Sequence, residues 1–206
     1  MSDRRRLLIA TGSEHKLAEL RELLDLPKTD LVALGDVGLA DDAREDGATF
    51  EENALAKARH YADLSGLPTL ADDSGLEVDA LDGRPGVRTR RFASDDATDA
   101  QNNAYLLQVL EGVPVARRTA RYRCVLVLAD QASDPEPLVT EGVFEGRIAL
   151  EPRGEGGFGY DPIFEPEFEP VGRRTVGQMT VAEKNEISHR AKAARAMAQL
   201  LRERGY

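Results

Sequence analysis

Tryptophan is missing from these 206 residues, cysteine occurs once, histidine three times and lysine five times. A single cysteine, Cys124, excludes an internal disulfide framework and suits a reducing compartment. Positive charge is also in short supply. Acidic residues outnumber basic ones 37 to 27, giving a formal net charge of −10. A general nucleic-acid binder needs a basic face, so none is expected here, although a local basic pocket is compatible with this balance. Long apolar runs are lacking. Leu7 to Ala10, behind Arg4, Arg5 and Arg6, is too short for a signal-peptide core, and no run approaches the ~20 residues of a membrane-spanning helix. No HExxH, CxxC or GxSxG element occurs, which leaves zinc-hydrolase and serine-hydrolase readings without support. Neither repeats nor low-complexity tracts stand out. The expectation is a soluble, cytoplasmic protein with neither a membrane nor a nucleic acid as partner.

What is present reads as a globular α/β chain. Apolar residues make up 41% and charged residues 31%, ordinary values for a folded domain. Leu7 to Ala10 reads as a strand, followed by the turn Thr11-Gly12-Ser13 and a helix from His15 to Leu24, where Leu17, Leu20, Leu23 and Leu24 share a face. Residues 34–47 are an acidic, loop-rich stretch. Thr49 and Glu52 form a capping-box pattern opening a helix to about Ser65, with Phe50, Ala54, Ala58 and Tyr61 on its buried side. Leu67 to Ala71 reads as a short strand ending at Asp72. A helix from about Asp99 to Leu110, strands at Tyr122 to Ala129 and Leu138 to Phe144, and a glycine loop from Arg153 to Asp161 follow. Thr180 and Glu183 form another capping pattern, and Ser188 is placed to cap a last helix reaching about Arg204. No clean linker interrupts the chain, so residues 1–206 are expected to form a single α/β domain, with room for two lobes around a cleft.

Four segments could carry chemistry, and each has a bland reading beside the functional one. Thr11-Gly12-Ser13-Glu14-His15-Lys16 opens a helix; its free N–H groups and Lys16 could hold phosphate, or it is a plain turn with a capping serine. Asp72-Asp73-Ser74-Gly75 could offer a carboxylate to a divalent cation, or be an Asx-type turn at a strand exit. Adjacent side chains of an extended segment point oppositely, so one aspartate of the pair would meet the ligand. Gly156-Gly157-Phe158-Gly159-Tyr160-Asp161 could free Phe158 to stack on a planar base, or tuck that ring into the core. Lys184 with Ser188-His189-Arg190 could meet phosphate or carbonyl oxygens, or form a helix surface of mixed charge. His15 and His60 have no partner pattern, and Cys124 reads as a core residue.

Taken in order, these segments resemble the Ham1/RdgB family of inosine/xanthosine triphosphate pyrophosphatases. The matching residues are Thr11-Gly12 with Lys16, Glu45-Asp46-Gly47-Ala48-Thr49-Phe50-Glu51-Glu52-Asn53-Ala54 with Lys57, and Ala71-Asp72-Asp73-Ser74-Gly75-Leu76. Pro85-Gly86, Phe158-Gly159-Tyr160-Asp161-Pro162-Ile163-Phe164 and Lys184 with Ser188-His189-Arg190 complete the set. The resemblance implies an elongated mixed β-sheet flanked by helices, two lobes around a central cleft, a homodimer, and Mg²⁺-dependent hydrolysis of purine nucleoside triphosphates such as dITP, ITP and XTP. By position, Thr11, Gly12, Ser13, Glu14, His15 and Lys16 would hold the triphosphate, with Lys57 supplying further charge. Asp73 would be the base that activates water and a Mg²⁺ ligand, with Glu45 a further metal ligand, and Ser74 would touch substrate. Phe158, Gly159, Tyr160, Asp161, Lys184, His189 and Arg190 would enclose the nucleotide and its base. Two departures stand out. Ser13 replaces the family's usual asparagine, and Val87-Arg88-Thr89-Arg90-Arg91-Phe92 is richer in arginine than the family pattern, which points to an altered substrate range or dimer surface. Two other readings share these residues: a nucleotide-binding regulator without turnover, and a Maf-like pyrophosphatase for modified pyrimidine triphosphates. A haloacid-dehalogenase-type phosphatase lacks its Asp-x-Asp after the first strand.

Overall fold

The computed structural model describes residues 4–40 and 43–206; Asp41 and Asp42, in the acidic stretch expected as a loop, and the first three residues lie outside the described residues. Four consecutive buried apolar residues, Leu7 to Ala10, make β1 (Arg5–Ala10) a strand covered on both faces. It pairs in parallel with β2 (Thr29–Ala33), Leu7 opposite Leu31, and with β3 (Thr69–Val78), Ile9 opposite Leu70. β4 (Thr119–Ala129), β5 (Leu138–Ile148) and β6 (Phe164–Pro166) complete a six-stranded sheet of order β2-β1-β3-β4-β5-β6, with β5 and β6 antiparallel. The helices are α1 (Glu14–Leu24), α2 (Phe50–Ser65), α3 (Asp99–Val109), α4 (Val181–Ile187) and α5 (His189–Glu203). Among the described residues no helix is long and apolar enough to cross a membrane.

The helix starts follow local chemistry. Ser13 caps α1, and Thr49–Glu52, Thr98–Gln101 and Thr180–Glu183 form reciprocal capping boxes on α2, α3 and α4. Phe50, Ala54, Ala58 and Tyr61 are all buried, as their spacing required. The strand read as ending at Ala71 is corrected, and with it the Asx-turn reading of Asp72-Asp73-Ser74-Gly75. β3 does not end there but continues extended through all four residues to Val78. β2 and β6 were not foreseen; both are short, and β2 carries polar Thr29 and Asp30.

The chain divides into two compact units. One comprises the residues up to Asp73 with Cys124–Gly142 and Arg190–Tyr206; the other comprises Ser74–Arg123 and Val143–His189. The first has a core of Leu7, Ile9, Leu20, Leu24, Leu126 and Met197 with their neighbours. The second packs Leu76, Leu106, Leu110, Phe144, Ile163 and Phe164.

Candidate active site

The first unit holds its charges on β3. Because successive strand residues face opposite ways, Asp72 and Asp73 meet different partners. Asp72, fully buried, faces the ammonium of Lys16 from α1, Arg190 Nε from α5 at 3.1 Å and the thiol of Cys124 from β4 at 3.2 Å. Burial alone would raise its pKa, but Lys16, Arg190 and Lys57 outweigh that and hold the carboxyl far below the usual range. Arg190 also donates to Glu19 Oε2 at 2.5 Å, so one buried guanidinium ties α5 to α1 and β3.

Asp73 meets α2. Asn53 Nδ2 donates to its Oδ2 at 3.0 Å, and Lys57 Nζ lies 3.4 Å from its Oδ1. Asn53 and Lys57 are four residues apart, hence on one helical face. Lys57 also donates to the Asp72 carbonyl at 2.6 Å and to Glu45 Oε1 at 2.8 Å. Burial raises the Asp73 pKa, Glu45 adds to the rise, and Lys57, Lys16 and Asn53 oppose it without cancelling it. Burial would lower the Lys57 pKa, yet Asp73, Glu45 and Asp72 together raise it, so the ammonium stays charged. Glu45 is brought in by the helix start: Glu52 Oε2 accepts the N–H groups of Ala48 and Thr49, and Asn53 Oδ1 accepts that of Gly47 at 2.8 Å.

At the start of α1, Ser13 N–H donates to Thr11 Oγ1 at 3.1 Å and Ser13 Oγ accepts from Lys16 N–H. Ser13 thus caps the helix, while Gly12, Glu14 and His15 are exposed beside it. The capping reading and a phosphate-binding helix start coexist here, since a helix end keeps further N–H groups unpaired within the helix.

The second unit gathers the other expected residues around Asp161, which is 2% exposed. Its Oδ2 accepts Lys184 Nζ at 2.8 Å and the Phe158 N–H at 2.9 Å, and its Oδ1 accepts the Tyr122 hydroxyl at 3.2 Å. Gly157 has φ of +74°, and a Cβ there would collide with the Asp161 carboxylate, so only glycine lets the loop fold over that side chain. Phe158 is half-buried, not tucked into the core, with Lys184 Nζ 4.2 Å from its ring centre. His189 stacks on Tyr122, ring centres 4.7 Å apart and planes within 8°. Tyr160 is buried, its hydroxyl donating to the Thr89 carbonyl at 2.8 Å, and Ser74 is half-buried on β3. The arginine-rich stretch lies in a 3₁₀ segment, Gly86–Arg91, where Arg88 pairs with Asp95 at 3.7 Å on the surface.

Sequence reasoning gave no role to Asn53, Glu19 or Tyr122 and missed the contact made by Cys124. Asn53 alone had a usable signal, its four-residue spacing from Lys57. Among the described residues no three His, Cys, Asp or Glu side chains form a ready-made metal cage. Glu45 and Asp73 nevertheless converge on one ammonium, that of Lys57. Two hard oxygen donors at one cationic point fit Mg²⁺, which characteristically takes one or two carboxylates and completes its shell with substrate phosphates and water.

The strand order and the two charged clusters define a mixed α/β protein whose buried carboxylates, two on β3 and one opening a 3₁₀ turn, are met by lysines from helices. Residues 7–200 match the model of the Ham1 family. A dITP/XTP pyrophosphatase of Xanthomonas oryzae pv. oryzae is 50% identical over 187 residues, covering 91% of this chain and 92% of that protein. One of Shigella flexneri is 48% identical over 197 residues, covering 96% and 98%. The structure of a HAM1 protein from Coxiella burnetii superposes with a TM-score of 0.87 at 44% identity, covering 97% of this chain and 99% of that one. The chain belongs to the Ham1 family.

Proposed function

We propose that this protein hydrolyses purine nucleoside triphosphates bearing hypoxanthine or xanthine (dITP/ITP, XTP/dXTP) to the monophosphate and pyrophosphate, clearing them from the nucleotide pool. The observation that carries this is Asp73: a buried carboxylate, raised in pKa, oriented by Asn53 and neighboured by Lys57 and Glu45. Asn53 fixes the orientation of this carboxylate, and phosphoryl transfer needs little from a protein beyond positioning and charge stabilisation. Asn53 holds Oδ2, and Oδ1 takes the proton from the attacking water. Water oxygen joins the α-phosphorus, the α–β anhydride bond breaks, and pyrophosphate leaves.

The remaining residues have matching tasks. The α1 start from Thr11 to Lys16 meets the phosphates, sharing Lys16 with Asp72. Asp73 and Glu45 would hold Mg²⁺, which when bound draws negative charge away from the phosphate oxygens. In the second unit Phe158 offers a face for base stacking, and Lys184, Asp161, Tyr160, His189 and Ser74 serve nucleotide recognition. Arg190 acts through Asp72. We further propose that residues 1–206 work as one domain, in a homodimer in the cytoplasm; the family resemblance supports this, and a monomer at micromolar concentration by light scattering would overturn the dimer.

The test is product analysis with dITP, XTP, dATP, dGTP and dTTP, with Mg²⁺ and with EDTA. Metal-dependent dIMP or XMP plus pyrophosphate, with little from the other three, is expected. Diphosphate plus phosphate would move the attack to another phosphorus. Preference for dTTP would favour the Maf-like reading, and no turnover the regulator.

A further inference from the structure

Helix α3 carries two side chains, one turn apart, that close on a single residue of the glycine loop. Asp99 Oδ2 accepts the Gly159 N–H at 2.6 Å, and Asn103 Nδ2 donates to the Gly159 carbonyl at 3.0 Å. Both hydrogen-bonding groups of the residue after Phe158 are therefore bound from one helix face. Gly159 itself has φ of +62°, and a Cβ there would meet nothing within 4 Å. It is the left-handed backbone that requires glycine, and such a residue takes its conformation from what holds it.

Asn103 is not an obvious choice for stability. It is 7% exposed, and its Oδ1 has no hydrogen-bond partner. A buried acceptor left unpaired disfavours folding, whereas an apolar side chain of similar size would not carry that cost. The amide is explained by the loop it holds. The same helix anchors the neighbouring 3₁₀ segment: Asn102 Nδ2 donates to the Arg90 carbonyl and its Oδ1 accepts the Ala93 N–H.

We propose that Asp99 and Asn103 are positioning residues for nucleotide recognition, clamping Gly159 so that Phe158 is presented in one orientation to the purine base. This rests on the function proposed above. They touch no reacting atom, so their removal raises KM and leaves kcat nearly unchanged.

The experiment compares Asp99→Ala, Asp99→Asn and Asn103→Leu with the unaltered protein by steady-state kinetics on dITP, denaturant midpoint, and hydrogen exchange of peptides spanning 157–160. Asp99→Ala and Asn103→Leu should raise KM about tenfold, the loss of roughly one hydrogen bond's worth of ordering, with kcat within about twofold. Asp99→Asn keeps an oxygen acceptor and should restore most of the affinity. Asn103→Leu should shift the denaturant midpoint little, because the orphan acceptor goes with it and water can reach the half-buried Gly159 carbonyl that loses its donor. Exchange in 157–160 should quicken in Asp99→Ala. Unchanged KM in both clamp-breaking variants, or a fall in kcat at constant KM, overturns the proposal. If the unaltered protein hydrolyses no triphosphate, the functional reading fails instead, and exchange still tests the clamp: equal rates in Asp99→Ala would overturn it as well.

Discussion

Asn53 donates its Nδ2 hydrogen to Asp73 Oδ2 at 3.0 Å while its own Oδ1 accepts the N–H of Gly47, so one buried amide aligns the carboxylate and the acidic turn that carries Glu45. The fold works against that carboxylate's charge. A folded-state pKa raised above the unfolded one means that ionised Asp73 costs stability at neutral pH, a cost that disappears as pH falls and the group protonates. Asp73→Asn is therefore expected to reduce turnover by roughly 10²–10⁴-fold, the usual contribution of a general base. In the metal-free protein it should leave Tm unchanged or higher. A calorimetric Tm well below that of the unaltered protein would contradict this account, as would full activity.

Arg190 is buried between Asp72 and Glu19, and the resemblance alone would make it a substrate residue. Its bonds to Glu19 and Asp72 also tie α5 to α1 and β3. Lysine cannot reproduce a planar fork that meets two carboxylates in different directions. Arg190→Lys should cost about 3 kcal/mol or more, as when one partner of a buried ion pair is removed. Urea unfolding monitored by circular dichroism checks this. A rise in KM with the midpoint unchanged would assign Arg190 to substrate instead.

What could be read in advance was local. α2 was legible because Thr49 and Glu52 mark its start and Phe50, Ala54, Ala58 and Tyr61 repeat at helical spacing. The path of β3 was not, because Asp-Asp-Ser-Gly has the composition of a turn. It stays extended where cations from α1, α2 and α5 compensate the two carboxylates, and those lie far away in sequence; Arg190 is 118 residues from Asp72. Cys124 looked apolar for the same reason, since its partner comes from another strand. The site residues recognised by motif are mostly those that were also near one another in sequence. Glu19 and Tyr122, which act through distant partners, carried no local mark.

Glu183 gives a pH-dependent prediction. Its Oε2 accepts the Thr180 N–H at 2.8 Å and the Thr180 hydroxyl, and its Oε1 accepts Arg174 at 2.7 Å. The Thr180 N–H, Arg174 and the Thr180 hydroxyl lower its pKa from the ordinary 4.5 to about 2. A depressed carboxyl stabilises the folded state above its unfolded pKa, and that stabilisation is lost as pH falls from about 4.5 toward 2. Carbon-detected NMR should find Glu183 titrating near the lower value. Arg174→Ala should move the titration upward. An unshifted titration at the ordinary glutamate value would mean that the cap does not form in solution.

Lys184 follows Glu183 on α4, and its ammonium is the cation beside buried Asp161. Lys184→Met keeps the length of the side chain and removes the charge, leaving Asp161 with the Tyr122 hydroxyl and the Phe158 N–H. An uncompensated buried carboxylate should cost about 3 kcal/mol, near the lower end for a broken buried pair. For a chain of this length that is roughly 6–12 °C in Tm. Asp161→Asn added to Lys184→Met removes the stranded charge, so the double variant should be more stable than the sum of the two single losses predicts. Activity separates further. Lys184 also sits over the Phe158 ring, so Lys184→Met should raise KM for dITP even at temperatures where it is fully folded. Additive stability losses in the cycle would show that Lys184 and Asp161 do not form a pair in solution. Unchanged KM in the folded variant would remove Lys184 from nucleotide recognition and leave it a structural partner of Asp161.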